Sequence, residues 1–300
     1  MPSRSTSLPT GSVVAPGARP FVPPTAMVLL AVLSVQLGSS VAKQLFAQLG
    51  TPGTTFLRVA FAAIVLQVVW RPGLRRYGVR SLAVAALFGL AVAGMNFCFY
   101  AALDRIPLGI AVTLEFVGPL GIAVAGSRRR LDALWIALAA AGVVLLTPWG
   151  GLHLNALGVF CALLAGSLWA AYIMLSARVG RAFSGGRGLA IAMSVGGLAL
   201  LPFGVASAGA NLLQPGLLLG GLSVALLSAV IPYSLELEAL RSIPTRVFGI
   251  LMSLEPAVGA LVGYVVLRQT LDTRALIAIA LVTLASAGAT RRGAMNAIQT

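Results

Sequence analysis

Acidic residues, histidine and cysteine are all scarce in this chain, and each shortage closes off a class of chemistry. Its 300 residues include seven Asp and Glu, one histidine and two cysteines. The single histidine, His153, falls in a predicted connecting loop, so Ser-His relays and His-based metal sites are hard to assemble. Cys98 and Cys161 both lie inside apolar runs and read as small packing residues, not as a disulfide or metal pair. No G-x-x-x-x-G-K-[ST] loop is present, which excludes ATP hydrolysis by that route. These absences together predict a chain that is not an enzyme and calls for no cofactor and no metal. Basic residues outnumber acidic ones, 21 to 7, yet they sit in short clusters between apolar runs without interleaved aromatics. That distribution argues against a nucleic-acid surface.

What the chain has in excess is apolar length. Hydrophobic residues make up 59% and charged residues 9%, with a mean hydropathy of +0.98, far outside the soluble norm, so the chain reads as a polytopic membrane protein in a lipid bilayer. A spanning helix needs about 20 apolar residues. Ten runs qualify: 26–46, 54–70, 81–102, 107–126, 131–149, 155–176, 188–208, 216–237, 245–267 and 272–290. The first 25 residues, rich in Pro, Ser and Thr, superficially resemble a signal peptide; with so many spans following, they are expected to be a disordered tail before an uncleaved first helix.

Orientation follows from where the arginines fall. With the N-terminus in the cytoplasm, sixteen of the 21 basic residues lie inside, in clusters around Arg4, Arg76, Arg129, Arg181, Arg241 and Arg291. The outer side receives Lys43, Arg105, Arg268 and Arg274, with Arg58 just inside the second span, so both termini are expected to be cytoplasmic. An internal repeat is also visible. Leu103, Ile106, Pro107 and Pro119 match Leu240, Ile243, Pro244 and Pro256 at a constant offset of 137, and Leu131-Asp132 matches Leu271-Asp272. Two units of five spans each must be inverted, because an odd number of crossings reverses the starting side. The expected fold is therefore all-α: ten transmembrane helices as two inverted five-helix repeats, 26–149 and 155–290, flanked by tails 1–25 and 291–300.

Few residues inside the apolar runs carry chemistry. Glu115 precedes Pro119 by four residues and Glu255 directly precedes Pro256. A proline frees a carbonyl on the preceding turn, so each acid sits where a helix is expected to open. An ionised side chain at the bilayer centre costs about 2.5–3.5 kcal/mol by insertion scales and is seldom kept without a task. Each acid either binds an ammonium group or proton, or locks helices together through an Arg or hydroxyl. Lys43 and Arg58 either pair with a buried acid or substrate carboxylate, or snorkel to the interface. Asn96 and Tyr100 share a helix face at i, i+4, and Tyr233 follows Pro232; cavity lining and interhelical hydrogen bonding both suit them. Glu236 and Glu238 lie beside Arg241 and Arg246, where a surface ion-pair cluster is the simpler reading. Trp169 and Tyr172, one turn apart, read as core packing, and Gly216/Gly220 and Gly259/Gly263 have the small-xxx-small spacing of close helix contacts.

Four stretches carry a family resemblance: S-V-Q-L-G-S-S-V-A-K (34–43), G-M-N-F-C-F-Y (94–100), I-P-L-G-I-A-V-T-L-E-F-V-G-P-L (106–120) and I-P-Y-S-L-E-L-E-A-L-R-S-I-P-T-R-V-F-G-I-L-M-S-L-E-P-A (231–257). With the two five-span repeats, they resemble the EamA family of the drug/metabolite transporter superfamily, and within it the bacterial inner-membrane exporters of threonine and homoserine. The likeness runs from about residue 27 to 290. It implies a central cavity lined by the first four spans of each repeat, with the fifth and tenth peripheral. Lys43, Arg58, Asn96, Tyr100, Glu115, Tyr233, Glu236 and Glu255 occupy motif positions as candidate substrate-binding or proton-coupling residues. One departure stands out: Arg268-Gln269 occupies a position where many relatives carry Gly-Glu, so an acidic contact is missing from that outer loop.

The resemblance implies a secondary transporter in the bacterial cytoplasmic membrane that exports small neutral amino acids, exchanged for protons. A zwitterion needs an anion for its ammonium, which Glu115 or Glu255 supplies, and a cation or helix N-terminus for its carboxylate, which Arg58 or Lys43 supplies. A broad metabolite or aromatic amino-acid exporter of the same fold is the alternative within transport. A non-transporting membrane scaffold is the alternative outside it.

Overall fold

The computed structural model describes residues 22–125, 130–146, 154–240, 243, 248 and 251–296. The arginines at 4, 19, 128, 129, 241 and 246, together with His153 and most of the N-terminal tail, lie outside the described residues. Every regular element within them is helical: α1 (Pro24–Trp70), α2 (Val79–Arg105), α3 (Leu108–Glu115), α4 (Val117–Ala125), α5 (Arg130–Leu146), α6 (Ala156–Ala182), α7 (Arg187–Ala208), α8 (Pro215–Ala225), α9 (Ile231–Leu240), α10 (Glu255–Val265) and α11 (Thr273–Asn296). Short 3-10 turns cover Leu74–Arg76 and Gly209–Leu213, and a π-helical turn over Leu226–Val230 joins α8 to α9. Helix α11 runs past the expected boundary at 290, because Ala, Arg and Met continue to favour helix after the apolar run ends.

Among the described residues, five helical stretches are long and apolar enough to cross a membrane, the first of them 47 residues long. A straight helix of that length would measure about 70 Å, more than twice a hydrocarbon core of about 30 Å. It does not run straight. Gly50 adopts φ 68° and ψ 169°, and Pro52 follows it, so the chain turns back on itself there. Ser228 demonstrates the reversal: its backbone carbonyl accepts from Arg58 at 2.9 Å, while a Cβ on Gly38 would lie 2.8 Å from its own Cβ. Residues 38 and 58 would stand about 30 Å apart on one straight helix. The two limbs, 24–49 and 51–70, are thus antiparallel neighbours, close to the two spans expected from sequence.

The loops sort the bundle into two ends. At one end Trp70 packs on Gly185 and Gly186, and the Tyr77 ring packs tilted against Phe183 with centroids 4.4 Å apart. Arg71, Arg75, Arg76, Arg80, Arg181 and Arg187 all belong to this basic end. At the other end Asn211 donates to the Gln48 carbonyl at 2.9 Å, and Ser207 donates to that of Leu49 at 3.0 Å. The Leu108 amide there donates to Oε1 of Gln269 at 3.0 Å. Between the ends, large apolar side chains such as Ile64, Leu90, Phe160, Leu198, Leu219 and Leu284 are exposed mid-helix. So much apolar surface is what lipid, and not water, solvates.

Helices come together where side chains are smallest. A Cβ on Gly89 would strike the backbone of Ala192 on α7, and one on Gly118 would strike the carbonyl of Gly166 on α6. Of the spacings marked in the sequence, Gly220 packs on Leu45, Gly259 on Val112 and Gly263 on Leu108 and Gln269, while Gly216 faces open space.

Candidate functional site

Both glutamates of the apolar runs stand at helix breaks. Helix α3 ends at Glu115, a turn at Phe116 intervenes, and α4 begins at Val117. Pro119 has no N–H for the Glu115 carbonyl, and that carbonyl instead faces Gly166, where a Cβ would lie 2.5 Å away. On the other side α10 begins at Glu255, with Pro256 in its first turn and a non-helical turn at Ser253-Leu254 before it. Pro256 leaves the Met252 carbonyl without its usual partner in the same way.

The two breaks open onto one cavity of about 450 Å³. Glu115 and Glu255 line it at 9% and 6% exposure, and Arg58, Asn96, Tyr233 and Glu236 line it with them. Among the described residues none of these three carboxylates has a salt-bridge partner; Arg105 and Asp104 form an ion pair at 3.6 Å, on the surface. Glu236 therefore faces the cavity, not a surface cluster, while the side chain of Glu238 lies outside what the structure describes. A larger, almost wholly apolar groove of about 770 Å³ between α10 and α11 contains no carboxylate or basic group.

Arg58 is held from two sides. Its Nη2 donates to the Ser228 carbonyl, which Pro232 cannot serve four residues on, and its guanidinium carbon lies 5.5 Å from the centroid of Tyr100. The π-helical turn that presents this carbonyl is further pinned by Ser34, whose hydroxyl donates to the Leu227 carbonyl at 2.6 Å. A guanidinium has five N–H donors, so holding Ser228 leaves others for the cavity. Asn96 gives one amide hydrogen to the Val92 carbonyl at 2.7 Å and lines the cavity.

Two sequence candidates stand outside the lining. Tyr100 is fully buried behind Arg58, packed on Phe46 and Phe99. Lys43 donates to the Leu103 carbonyl at 2.6 Å. The reason is local: Pro107 forces Ile106 into an extended conformation (φ −132°, ψ 158°), α2 stops, and its last carbonyls are left without amides. A lysine at a helix C-terminus is the favourable answer to that deficit. At the loop after α10, Gln269 fills the place expected for an acid. Its Oε1 still accepts the α3 amide, so an acceptor is retained there without the charge.

Sequence reasoning missed Gln36, Ser39 and Ser228, and assigned Trp169 and Tyr172 to packing; all five line the cavity, with Phe99, Phe116, Ser176, Phe248 and Met252. The signal for Gln36 was present: a carboxamide at the midpoint of the apolar run 26–46. The lining runs from the bundle centre toward the basic end, reaching Ser176, Glu236 and Phe248. Beyond Glu115 the opposite end is filled by a buried apolar cluster that includes Tyr100, Leu103, Ile106, Leu108, Ile110 and Val262.

Comparison with known proteins agrees with this architecture. A family profile described as the EamA-like transporter family matches residues 156–291. The threonine/homoserine exporters RhtA of Salmonella typhimurium strain LT2 and of Escherichia coli strain K12 are each 40% identical over 269 residues, 89% of this chain and 91% of theirs. A solved crystal structure with 18% sequence identity superposes with a TM-score of 0.60 over 92% of this chain and 98% of its own, which shows the shared fold. With its multiple apolar helices and relatives matched over nearly their whole length, this chain is a multi-pass membrane protein that belongs to the EamA-like transporter family.

Proposed function

We propose that this protein exports threonine and homoserine from the cytoplasm across the bacterial inner membrane, exchanging each amino acid for a proton. The observation that carries the reading is the shared cavity that Glu115, Glu255 and Arg58 all line, with neither carboxylate in a salt bridge among the described residues. The substrate ammonium docks on Glu115 or Glu255, and its carboxylate takes the free N–H groups of Arg58. When the site is empty, a proton replaces the ammonium on the same acid. Each charge moved is worth about 2.3 kcal/mol per 100 mV, and a tenfold gradient costs about 1.4 kcal/mol, so one proton per substrate suffices for uphill export.

Two inverted five-helix halves, with both termini in the cytoplasm, fit this cycle. Numbering the limbs of α1 as spans one and two, α2 as three, α3–α4 as four, and so on to α11 as ten, the helix contacts support that symmetry. Spans two and seven, four and nine, and five and ten pair with each other, while three packs on six as eight packs on one. The arginine-rich end is then cytoplasmic, and a cavity extending toward that end is placed to load substrate from inside.

The test is a counterflow panel in proteoliposomes across the amino acids. Threonine and homoserine should exchange; a protein that exchanges neither while moving another amino acid removes the assignment. The aromatic wall formed by Phe99, Phe116, Trp169, Tyr172 and Phe248 supports one second reading, export of aromatic amino acids. Phenylalanine and tyrosine in the same panel decide it.

A further inference from the structure

The charge-pairing scheme above gives no task to Gln36, a polar side chain of the cavity wall. Gln36 is 1% exposed, lines the cavity, and has no hydrogen-bond partner for its Oε1 among the described residues. Buried amide oxygens are normally satisfied, and one that is not marks a place where a donor is missing. The carboxamide sits where α1, α3 and α10 meet: a Cβ built on Gly259 would lie 3.3 Å from Gln36 Oε1 and 3.2 Å from Val112 Cγ2. Gly259 is one turn beyond Glu255, and Val112 is one turn before Glu115. Because α3 and α10 belong to antiparallel spans, both steps lead the same way, about 5.4 Å toward the end filled by the apolar cluster. Gln36 thus stands one helical turn above the two acids, and Ser39 continues the same wall.

An amino acid whose ammonium rests on those acids and whose carboxylate rests on Arg58 has only its side chain left to recognise. Threonine carries a hydroxyl two bonds from the α-carbon, and homoserine one three bonds away, both within about one helical turn of the ammonium. We propose that Gln36 is the residue that selects for this hydroxyl, its Oε1 accepting the hydrogen bond from the substrate O–H. The inference rests on the threonine and homoserine export reading. A neutral acceptor suits a neutral hydroxyl, whereas a carboxylate at this position would compete for the ammonium. The terminal torsion of glutamine is broad, so one carboxamide follows a hydroxyl on either the β- or the γ-carbon.

The test uses isosteric pairs, in which a methyl replaces the hydroxyl: threonine against valine, and homoserine against norvaline, in proteoliposome counterflow. The wild-type protein should favour the hydroxylated member of each pair by about tenfold or more. Gln36→Met keeps the length without a strong acceptor and should bring both ratios to within about threefold while valine still exchanges. Gln36→Leu serves the same purpose should the methionine variant not insert. A wild-type protein that exchanges threonine and valine equally, or a Met or Leu variant that keeps the wild-type ratios, overturns the proposal. Failure of the wild-type protein to exchange threonine or homoserine at all is a different result, and it removes the export assignment itself.

Discussion

At the scale of single residues, the recurring device is a proline that strips a carbonyl of its amide beside a charged group. Pro119 does this next to Glu115, Pro256 next to Glu255, and Pro232 frees the Ser228 carbonyl that Arg58 then takes at 2.9 Å. The two acids lack salt-bridge partners among the described residues. Replacing either by Gln keeps shape and hydrogen-bonding capacity while deleting the charge that receives an ammonium. Glu115→Gln and Glu255→Gln are expected to insert at normal abundance and to lose most threonine transport in proteoliposomes. Wild-type export by both variants would assign the acids to structure. Lys43 makes the opposite case. Its ammonium caps α2 at the Leu103 carbonyl, 2.6 Å away, so Lys43→Met is expected to lower unfolding stability in detergent by about 1.5–3 kcal/mol. The apparent KM for threonine should stay unchanged; a raised KM with undiminished stability would move Lys43 into the binding site.

At the scale of helices, the site depends on backbones approaching with no side chain between them. Gly118 and Gly166 cross directly beside the Glu115 carbonyl, and a Cβ on Gly166 would lie 2.5 Å from that oxygen. Gly166→Ala is therefore expected to push α6 away from the α3–α4 break, at a cost of about 1–3 kcal/mol, and to reduce transport along with thermal stability. An alanine variant with wild-type melting and transport would show that the crossing relaxes freely. Much at this scale was legible in advance. The apolar runs located most helices, although α6 and α11 each run six residues past the expected end and much of the run before Glu255 lies outside the described residues, and the prolines at 119 and 256 marked the breaks. The reversal at Gly50 was anticipated as a gap between two spans, although the helical assignment runs unbroken from Pro24 to Trp70.

At the scale of the whole molecule, the proposed inversion of the two halves makes two measurable demands. Reporter fusions at Arg76 and Arg181 should read cytoplasmic and one near Asn211 periplasmic; one reversed site would break the ten-span topology. The coupling scheme makes the second demand. Exchange keeps an acid occupied at every turn, whereas net flux must return an empty carboxylate, which is costly to carry charged through a low-dielectric interior. Net uphill export is therefore expected to stop when the proton gradient is collapsed, while threonine–threonine exchange continues. Accumulation that survives an uncoupler would exclude the protonation cycle.

Composition and run length by themselves determined that this is a multi-pass membrane protein, and the 137-residue offset raised the expectation of two related halves with Glu115 and Glu255 at comparable depths. Those properties are local, being set by what each segment needs from lipid and from its own backbone. Only the tertiary structure decided which candidates share a cavity: Arg58, Asn96, Tyr233 and Glu236 join the two acids, Tyr100 stands behind Arg58, and Lys43 caps a neighbouring helix. Gln36 and Ser228 entered the site by the same route, brought to one wall by helices far apart in sequence. In water, hydrophobic periodicity tells which face of a helix turns inward. In a bilayer, lipid is as apolar as the core, so the period is faint and packing between small residues chooses the face.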